Sequence, residues 1–357
     1  GLADLLVAAP EANDTSSDDR GKVYLFHGPV LGTLSADTDA DAILIGEADG
    51  DEAGSSLDFL DINADGVDDV LIGAFQNSNN GAQAGAAYLL HGPVSSDYLN
   101  NADVTLYGES ASDYFGSAVL NAGDVNGDGF EDLLISAYRG DPIDPLTSTE
   151  VSNAGISYLF FGPISGAITP ADADVLLFGD SMTGYSGREL SQAGDVNGDG
   201  FDDVLIGARD RLPNGSAYLV SGGNSLSSEL WLYDATAKLE GEASDDQFGR
   251  SSARVGDLNV DGFDDVIVGA TEADSGGANS GTIYLYYGPL SGTYDPGDYH
   301  GVLAGETAGD SAGISVSGLT DIDGGGSPDI VVGGYSNGTN GLNSGAAYYF
   351  LGENLQQ

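Results

Sequence analysis

The chain has 357 residues, 57 of them Asp or Glu against 9 Lys or Arg, for a net charge of −48 and no cysteine. That charge excludes nucleic acid as a partner, because phosphates need a basic surface, and the missing cysteine excludes disulfide staples. No apolar run approaches the roughly 18 residues that would span a bilayer as a helix.

Abundant glycine (56 residues) and short Val, Ile, Leu and Tyr runs predict short strands joined by tight turns. Gly1 stands where a Met would begin a primary product and no signal peptide is visible, so a mature or trimmed product is expected. In chain order, Gly1–Asp4, then DLLVAAP to Pro10 and KVYLFHGP to Pro29, form the tail of a unit that later recurs whole. The acidic string DINADGVDD at Asp61–Asp69 leads into VLIGA, AAYLLHGP at Ala86–Pro93 and VTLYGE, which ends at Glu109. Phe115-Gly116 then precedes DVNGDGFED at Asp124–Asp132, LLISA, the longest loop (Arg139–Asn153), ISYLFFGP at Ile156–Pro163 and VLLFGD, which ends at Asp180. Ser186-Gly187 precedes DVNGDGFDD at Asp195–Asp203, VLIGA, SAYLVSGG at Ser216–Gly223 and AKLEGE, which ends at Glu242. Phe248-Gly249 precedes DLNVDGFDD at Asp257–Asp265, VIVGA, TIYLYYGP at Thr282–Pro289 and GVLAGE, which ends at Glu306. Ala312-Gly313 precedes a decayed string, DIDGGGSPD at Asp321–Asp329, then IVVGG, AAYYFLG at Ala346–Gly352 and the end of the chain.

Each period holds about four short strands, and a four-stranded sheet repeated at this length is a propeller blade. Stacked blades bury both faces, which explains strands apolar at nearly every residue. The fold is therefore read as all-β, a β-propeller of four-stranded antiparallel blades. Residues 1–357 are read as one domain with six repeats, near 1–47, 48–109, 110–180, 181–242, 243–306 and 307–357, the first and last partial.

The acidic string has the chemistry of a Ca²⁺ loop. A hard cation takes six to eight oxygens, and side chains at positions 1, 3 and 5 of a tight loop converge. Glycine at 6 permits the turn, the carbonyl at 7 points inward, and the acid at 9 closes the shell. The ligand sets are Asp61, Asn63, Asp65, Val67 and Asp69; Asp124, Asn126, Asp128, Phe130 and Asp132; Asp195, Asn197, Asp199, Phe201 and Asp203; and Asp257, Asn259, Asp261, Phe263 and Asp265. In the fifth string Gly325 replaces the acid at 5, so Asp321, Asp323 and Asp329 form a weaker site. About four calcium ions are expected, besides that fifth position. Asp, Asn and Gly also simply make turns, but three acids crowded into one loop repel unless a cation lies between them. Calcium is expected to contribute to folding itself.

The Phe-Gly pairs, the Asp-x-Asn-x-Asp-Gly loops and the Gly-Ala-Pro-like strand ends, of which Ala8-Ala9-Pro10 keeps the proline, resemble the FG-GAP repeats of integrin α-subunit propellers and their bacterial relatives. The resemblance covers essentially the whole chain. It implies seven blades in an intact head. The expected function is a non-enzymatic extracellular adhesion, interaction or surface-assembly module, with a protein or glycan ligand at the cell surface or matrix. Self-association by strand exchange between the incomplete ends, into a filament or surface layer, is one alternative. A propeller domain of a secreted polysaccharide- or lipid-acting enzyme is another. A halophilic surface would also explain the acids.

Other short motifs have plainer readings. Gly179-Asp180-Ser181 lacks the histidine motif of the esterases it resembles, and Gly309–Gly313 spells a nucleophile elbow inside a β repeat. His27 and His91 share a strand-end position, and His300 stands alone in a loop. Arg139-Gly140-Asp141 spells an adhesion tripeptide, and Asn13, Asn214 and Asn337 begin glycosylation sequons.

Overall fold

The computed structural model describes residues 3–13, 19–338 and 344–355. The sequons at Asn13 and Asn337, and the ends of the first and last repeats, fall partly outside these residues. The architecture is all-β and of the β-propeller class. By packing, the chain divides into two compact units, Gly1–Asn121 with Phe130–Asp141 and Ile156–Leu176, and Ala122–Gly129 with Pro142–Gly155 and Leu177–Gln357.

In the first unit, Ser56–Leu60, Asp69–Ala74, Ala86–Leu90 and Val104–Tyr107 pair in that order as one antiparallel sheet. The second strand of the repeat is buried at every residue, as its unbroken apolar run requires. The partial first repeat supplies Leu5–Ala9, Lys22–Phe26 and Ala42–Ile45, and Asp97–Tyr98 adds to their edge in parallel. Two apolar clusters fill this unit. One centres on Ile72, Tyr88 and Leu44, the other on Leu89, Phe115 and Leu133.

The second unit repeats the plan. Glu189–Gly194, Asp203–Ala208, Ser216–Val220 and Ala237–Glu240 form one sheet, again with a parallel edge segment from the next repeat, Gly292–Tyr294. Phe248–Gly256, Asp265–Ala270, Thr282–Tyr286 and Gly301–Ala304 form the next. Ala312–Leu319, Asp329–Gly334 and Ala346–Phe350 make a three-stranded sheet.

Only the glycine of the Phe-Gly slot is obligatory. Gly116 has φ +78°, and a Cβ there would lie 2.0 Å from the Ala86 carbonyl oxygen. Ala53-Gly54 occupies the same slot, with Gly54 at φ +91°. The second repeat is therefore complete, with the same Ala-Gly pair as the slot at Ala312-Gly313.

Candidate metal-binding loops

Each acidic string is the turn between the first and second strands of its repeat. The position-1 carboxylate accepts hydrogen bonds from the backbone N–H groups of positions 5 and 6 at 2.9–3.0 Å, in all five strings. The side-chain oxygen at position 3 accepts from the N–H of position 5 at 2.8–3.1 Å. Position 6 needs left-handed backbone, with φ from +84° at Gly66 to +99° at Gly326, which explains its invariable glycine. The position-5 carboxylate turns to the N–H of position 7 in the first, third and fourth strings.

The position-9 aspartates, Asp69, Asp132, Asp203, Asp265 and Asp329, are fully buried. One oxygen accepts the N–H of the glycine after the third strand, from Gly92, Gly162, Gly222, Gly288 and Gly352, at 2.8–3.0 Å. The other reaches the position-2 N–H in the third, fourth and fifth strings. Asp4 makes the same bond to Gly28, so the chain enters in the phase that its first residues suggest. Burial pushes Asp203 up to about 7 and Asp265 up to about 6. No Lys or Arg is among the groups that influence these two carboxylates, so no basic side chain opposes the effect of burial. The donors are all hard oxygens, as Ca²⁺ requires.

His27 and His91 each place Nδ1 on the position-9 carboxylate, at 2.9 Å from Asp4 and 3.1 Å from Asp69. Both are therefore strand-end residues that also touch the loop acid. The bond to Asp4 holds His27 above the usual imidazole value.

The fifth string differs. Its Asp321, Asp323 and Asp329 bring carboxylate oxygens within 4.8 Å of one another, the one such group of three acids among the described residues. In the other four strings an asparagine holds position 3, and the three acids at positions 1, 5 and 9 do not bring their oxygens within 4.8 Å of one another. Gly325 leaves open the place of a position-5 side chain, and Glu353 Oε2 lies 2.3 Å from where a Cβ on Gly325 would sit. A carboxylate distant in sequence therefore reaches the gap. Asp329 also accepts a hydrogen bond from the Tyr349 hydroxyl, the largest of the influences that hold it below the usual carboxylate range.

Position 8 escaped the sequence reading, although the doubled acid at the end of each complete string was its signal. Glu131 accepts the N–H of Asp61 at 2.7 Å, Asp202 that of Asp124 at 2.9 Å, and Asp264 that of Asp195 at 2.8 Å. Each acid thus caps position 1 of the preceding loop. The position-7 rings of Phe201 and Phe263 pack on Gly127 and Gly198, where a Cβ would lie 2.3 and 2.6 Å from a ring carbon.

A second recurring device was also missed. In three of the five Gly-acid pairs the acid receives the tyrosine of the next repeat's third strand. Tyr88 bonds Glu47 at 2.9 Å, Tyr218 bonds Asp180 at 2.7 Å and Tyr284 bonds Glu242 at 3.1 Å. Asp180 also holds Arg211, so the aspartate of the Gly-Asp-Ser motif is a structural anchor. Ser311 is followed by the strand Ala312–Leu319 and not by a helix, which removes the elbow reading. Arg139 stacks over Tyr114 at 4.7 Å while Gly140 is buried, so the adhesion tripeptide is not displayed as an open loop. Asn214 donates to the Gly241 carbonyl, and Asn337 is buried against Tyr348.

The family described as FG-GAP repeat matches residues 53–90, 115–160, 187–220 and 248–286, which contain the four complete strings. The chain is 30% identical to integrin alpha-5 of Xenopus laevis over 235 residues, 62% of this chain and 20% of that protein. It is 30% identical to integrin alpha-V of Gallus gallus over 230 residues, 62% of this chain and 20% of that protein. It is 36% identical to integrin alpha-7 of Homo sapiens over 169 residues, 45% of this chain and 13% of that protein. The chain spans about a fifth or less of the length of these curated relatives.

Proposed function

The chain is an integrin α-like FG-GAP repeat protein, and from that premise we propose that it is a calcium-stabilised, non-enzymatic interaction module working outside the cell. The observation that carries the calcium reading is the buried position-9 carboxylate, repeated in register beneath a loop whose exposed side offers further hard oxygens. In the four complete strings, Asp61, Asp124, Asp195 and Asp257 with their partners at 3, 5, 7 and 9 would hold one ion each. Asp321, Asp323, Asp329 and Glu353 would hold a fifth. The ion would neutralise the loop acids, so that loop closure and the strand end tied to position 9 form together.

The interaction reading rests on the integrin relatives and on loops of unequal length set on rigid sheets. The hairpin Ile143–Asp144/Thr149–Glu150 sits in the longest of these loops and exposes Ile143 and Leu146. The ligand is proposed to be a protein or glycan at a cell surface or matrix. The reading of residues 1–357 as a single domain belongs to the same proposal.

A thermal melt in millimolar calcium against excess chelator, at fixed ionic strength, tests it. The expected result is a large drop in Tm on chelation, reversed by Ca²⁺ and poorly by Mg²⁺, which keeps its waters and accepts fewer protein ligands. An unchanged Tm would reduce the strings to turns. Binding to a panel of surface proteins and glycans in calcium tests the interaction reading separately.

A further inference from the structure

Basic side chains are scarce, and three of the nine converge on one cavity. Arg188, Arg209 and Arg250, with Glu189, Gly249 and Ile314, line a space of about 300 Å³ within the second unit. Arg188 and Arg250 occupy the same place in successive repeats, directly after the Phe-Gly slot, and Arg209 follows the second strand. Besides Glu189, the carboxylate of Asp210 stands 3.5 Å from both Arg188 and Arg209. That distance is beyond the usual 2.7–3.2 Å of a hydrogen bond. The Arg209 side chain is 11% exposed, and its buried Nε makes no hydrogen bond. The Arg250 guanidinium has neither a hydrogen bond nor an ion pair among the described residues. Burial, then the charge of Arg188, holds it below the ordinary guanidinium value.

The charge nearest this guanidinium is that of Glu189 in the cavity lining, but burial pushes Glu189 up to about 7, so it offsets the guanidinium only in part, and a half-buried guanidinium that makes no hydrogen bond is costly unless a further anion completes it. We propose that this cavity is a receptor for a carboxylate group, carried as an acidic side chain by a protein partner. Its planar five-donor fork suits a planar carboxylate bidentately. A single open fork, with Asp210 already between the other two arginines, calls for one monoanion. The volume is at the small end for ligand sites, enough for a side chain and too little for a sugar chain. Elsewhere the surface is strongly acidic, so an acidic partner would be repelled except where this pocket faces it. The proposal deepens the interaction reading and rests on it for the partner, though not for the anion.

The test uses the full chain in saturating calcium at about 0.15 M salt, where surface charges are screened beyond a Debye length. Acetate, sulfate, acetyl-Gly-Glu-Gly-amide and its Gln counterpart are titrated, with the arginine Nε–H resonances as the readout. The Glu peptide is expected to saturate these shifts, the Gln peptide to leave them unmoved, and sulfate to bind no tighter than acetate. Arg250→Gln should weaken the Glu peptide at least about tenfold, while Lys238→Gln, on a different strand, leaves it unchanged. If Arg250→Gln loses its cooperative melt, Arg188→Gln, with a side chain 41% exposed, is read in its place. No saturable shift, equal binding by the arginine variants and the parent, or equal weakening by Lys238→Gln would overturn the proposal. Tighter binding of sulfate than of the Glu peptide would overturn the carboxylate assignment. Peptide binding without any surface ligand would leave the pocket standing and defeat the adhesion reading. A calcium-dependent ligand unaffected by Arg250→Gln would do the reverse.

Discussion

The four strings inside the matched repeats and the fifth string outside them share one backbone and differ in what surrounds it. In the four, the apolar residue at position 2 is fully buried, as Ile62, Val125, Val196 and Leu258. In the fifth, Ile322 is 63% exposed. The first three loops are clamped by the following repeat, through Glu131, Asp202 and Asp264 at position 8. Pro328 holds that position in the fifth string, so Asp257 receives no such cap. The comparison teaches that a loop of this kind is completed by the next repeat as much as by its own nine residues. Local hydrogen bonds alone set its shape, as the fifth string shows, but burial and clamping come from outside.

The largest expected effect separates the two classes at position 9. Asp203→Ala removes a fully buried acceptor of two backbone N–H groups, with the Val196 donor left buried and the Gly222 donor part-buried, at a cost of about 2–4 kcal/mol. Asp329→Ala removes the same two bonds, but the Ile322 donor stands beside a side chain that is 63% exposed and can hydrate while the Gly352 donor stays buried, so the loss should be smaller. Denaturant unfolding in calcium measures both. Equal losses would mean that clamping by the next repeat does not matter.

The tyrosine contacts sharpen the same contrast. Burial, then Glu242, raises the Tyr284 pKa well above the ordinary phenol value. The folded state therefore keeps a proton that the unfolded chain loses near pH 10. Its contribution is whole below about pH 10 and is lost as the pH rises above it. Tyr284→Phe should cost about 1–2 kcal/mol at neutral pH and flatten the alkaline decline in stability. Tyr348 in the last repeat bonds Asn337 rather than an acid, so Tyr348→Phe should cost less. Melts at pH 8 to 11 decide it, and an unchanged alkaline slope in Tyr284→Phe would break the argument.

Position 8 comes next in size. Asp202→Ala should cost about 1 kcal/mol by freeing the Asp124 N–H, whereas Pro328→Ala should be near neutral, because Pro328 caps nothing. A cost in Pro328→Ala equal to that in Asp202→Ala would show that backbone packing, and not the cap, holds the loops.

Much of this was legible in the sequence, for a physical reason. Strand identity and the loop chemistry depend on residues within nine positions of one another, and the repetition averages away chance. The left-handed turn read for the glycine at position 6 is present in all five strings, and Asp4 enters in the phase read from Leu2-Ala3-Asp4. The contacts between repeats were not legible. Glu131 meets Asp61, and Tyr284 meets Glu242, across separations that no local pattern encodes. Ala53-Gly54 was passed over although it is the same pair as Ala312-Gly313, because a chain with 56 glycines offers many such pairs. The convergence of Arg188, Arg209 and Arg250 follows from the stacking of strands and has no spacing signature at all.

Glu353 offers the finest division between the two classes. A complete string supplies its own acid at position 5, whereas the fifth must borrow one from the 3₁₀ turn Gly352–Asn354. Glu353→Gln should therefore weaken one calcium ion of the set several-fold and leave the others untouched, because a carboxylate ligand is exchanged for a neutral amide at a single site. Gly325→Asp in the same background restores a local acid and should recover that affinity, since the displaced side chain at 353 is exposed and can move. Calcium titration by calorimetry resolves the step. A full set of tight ions in Glu353→Gln would mean that three carboxylates suffice, and that the fifth string is equal to the other four despite its missing acid.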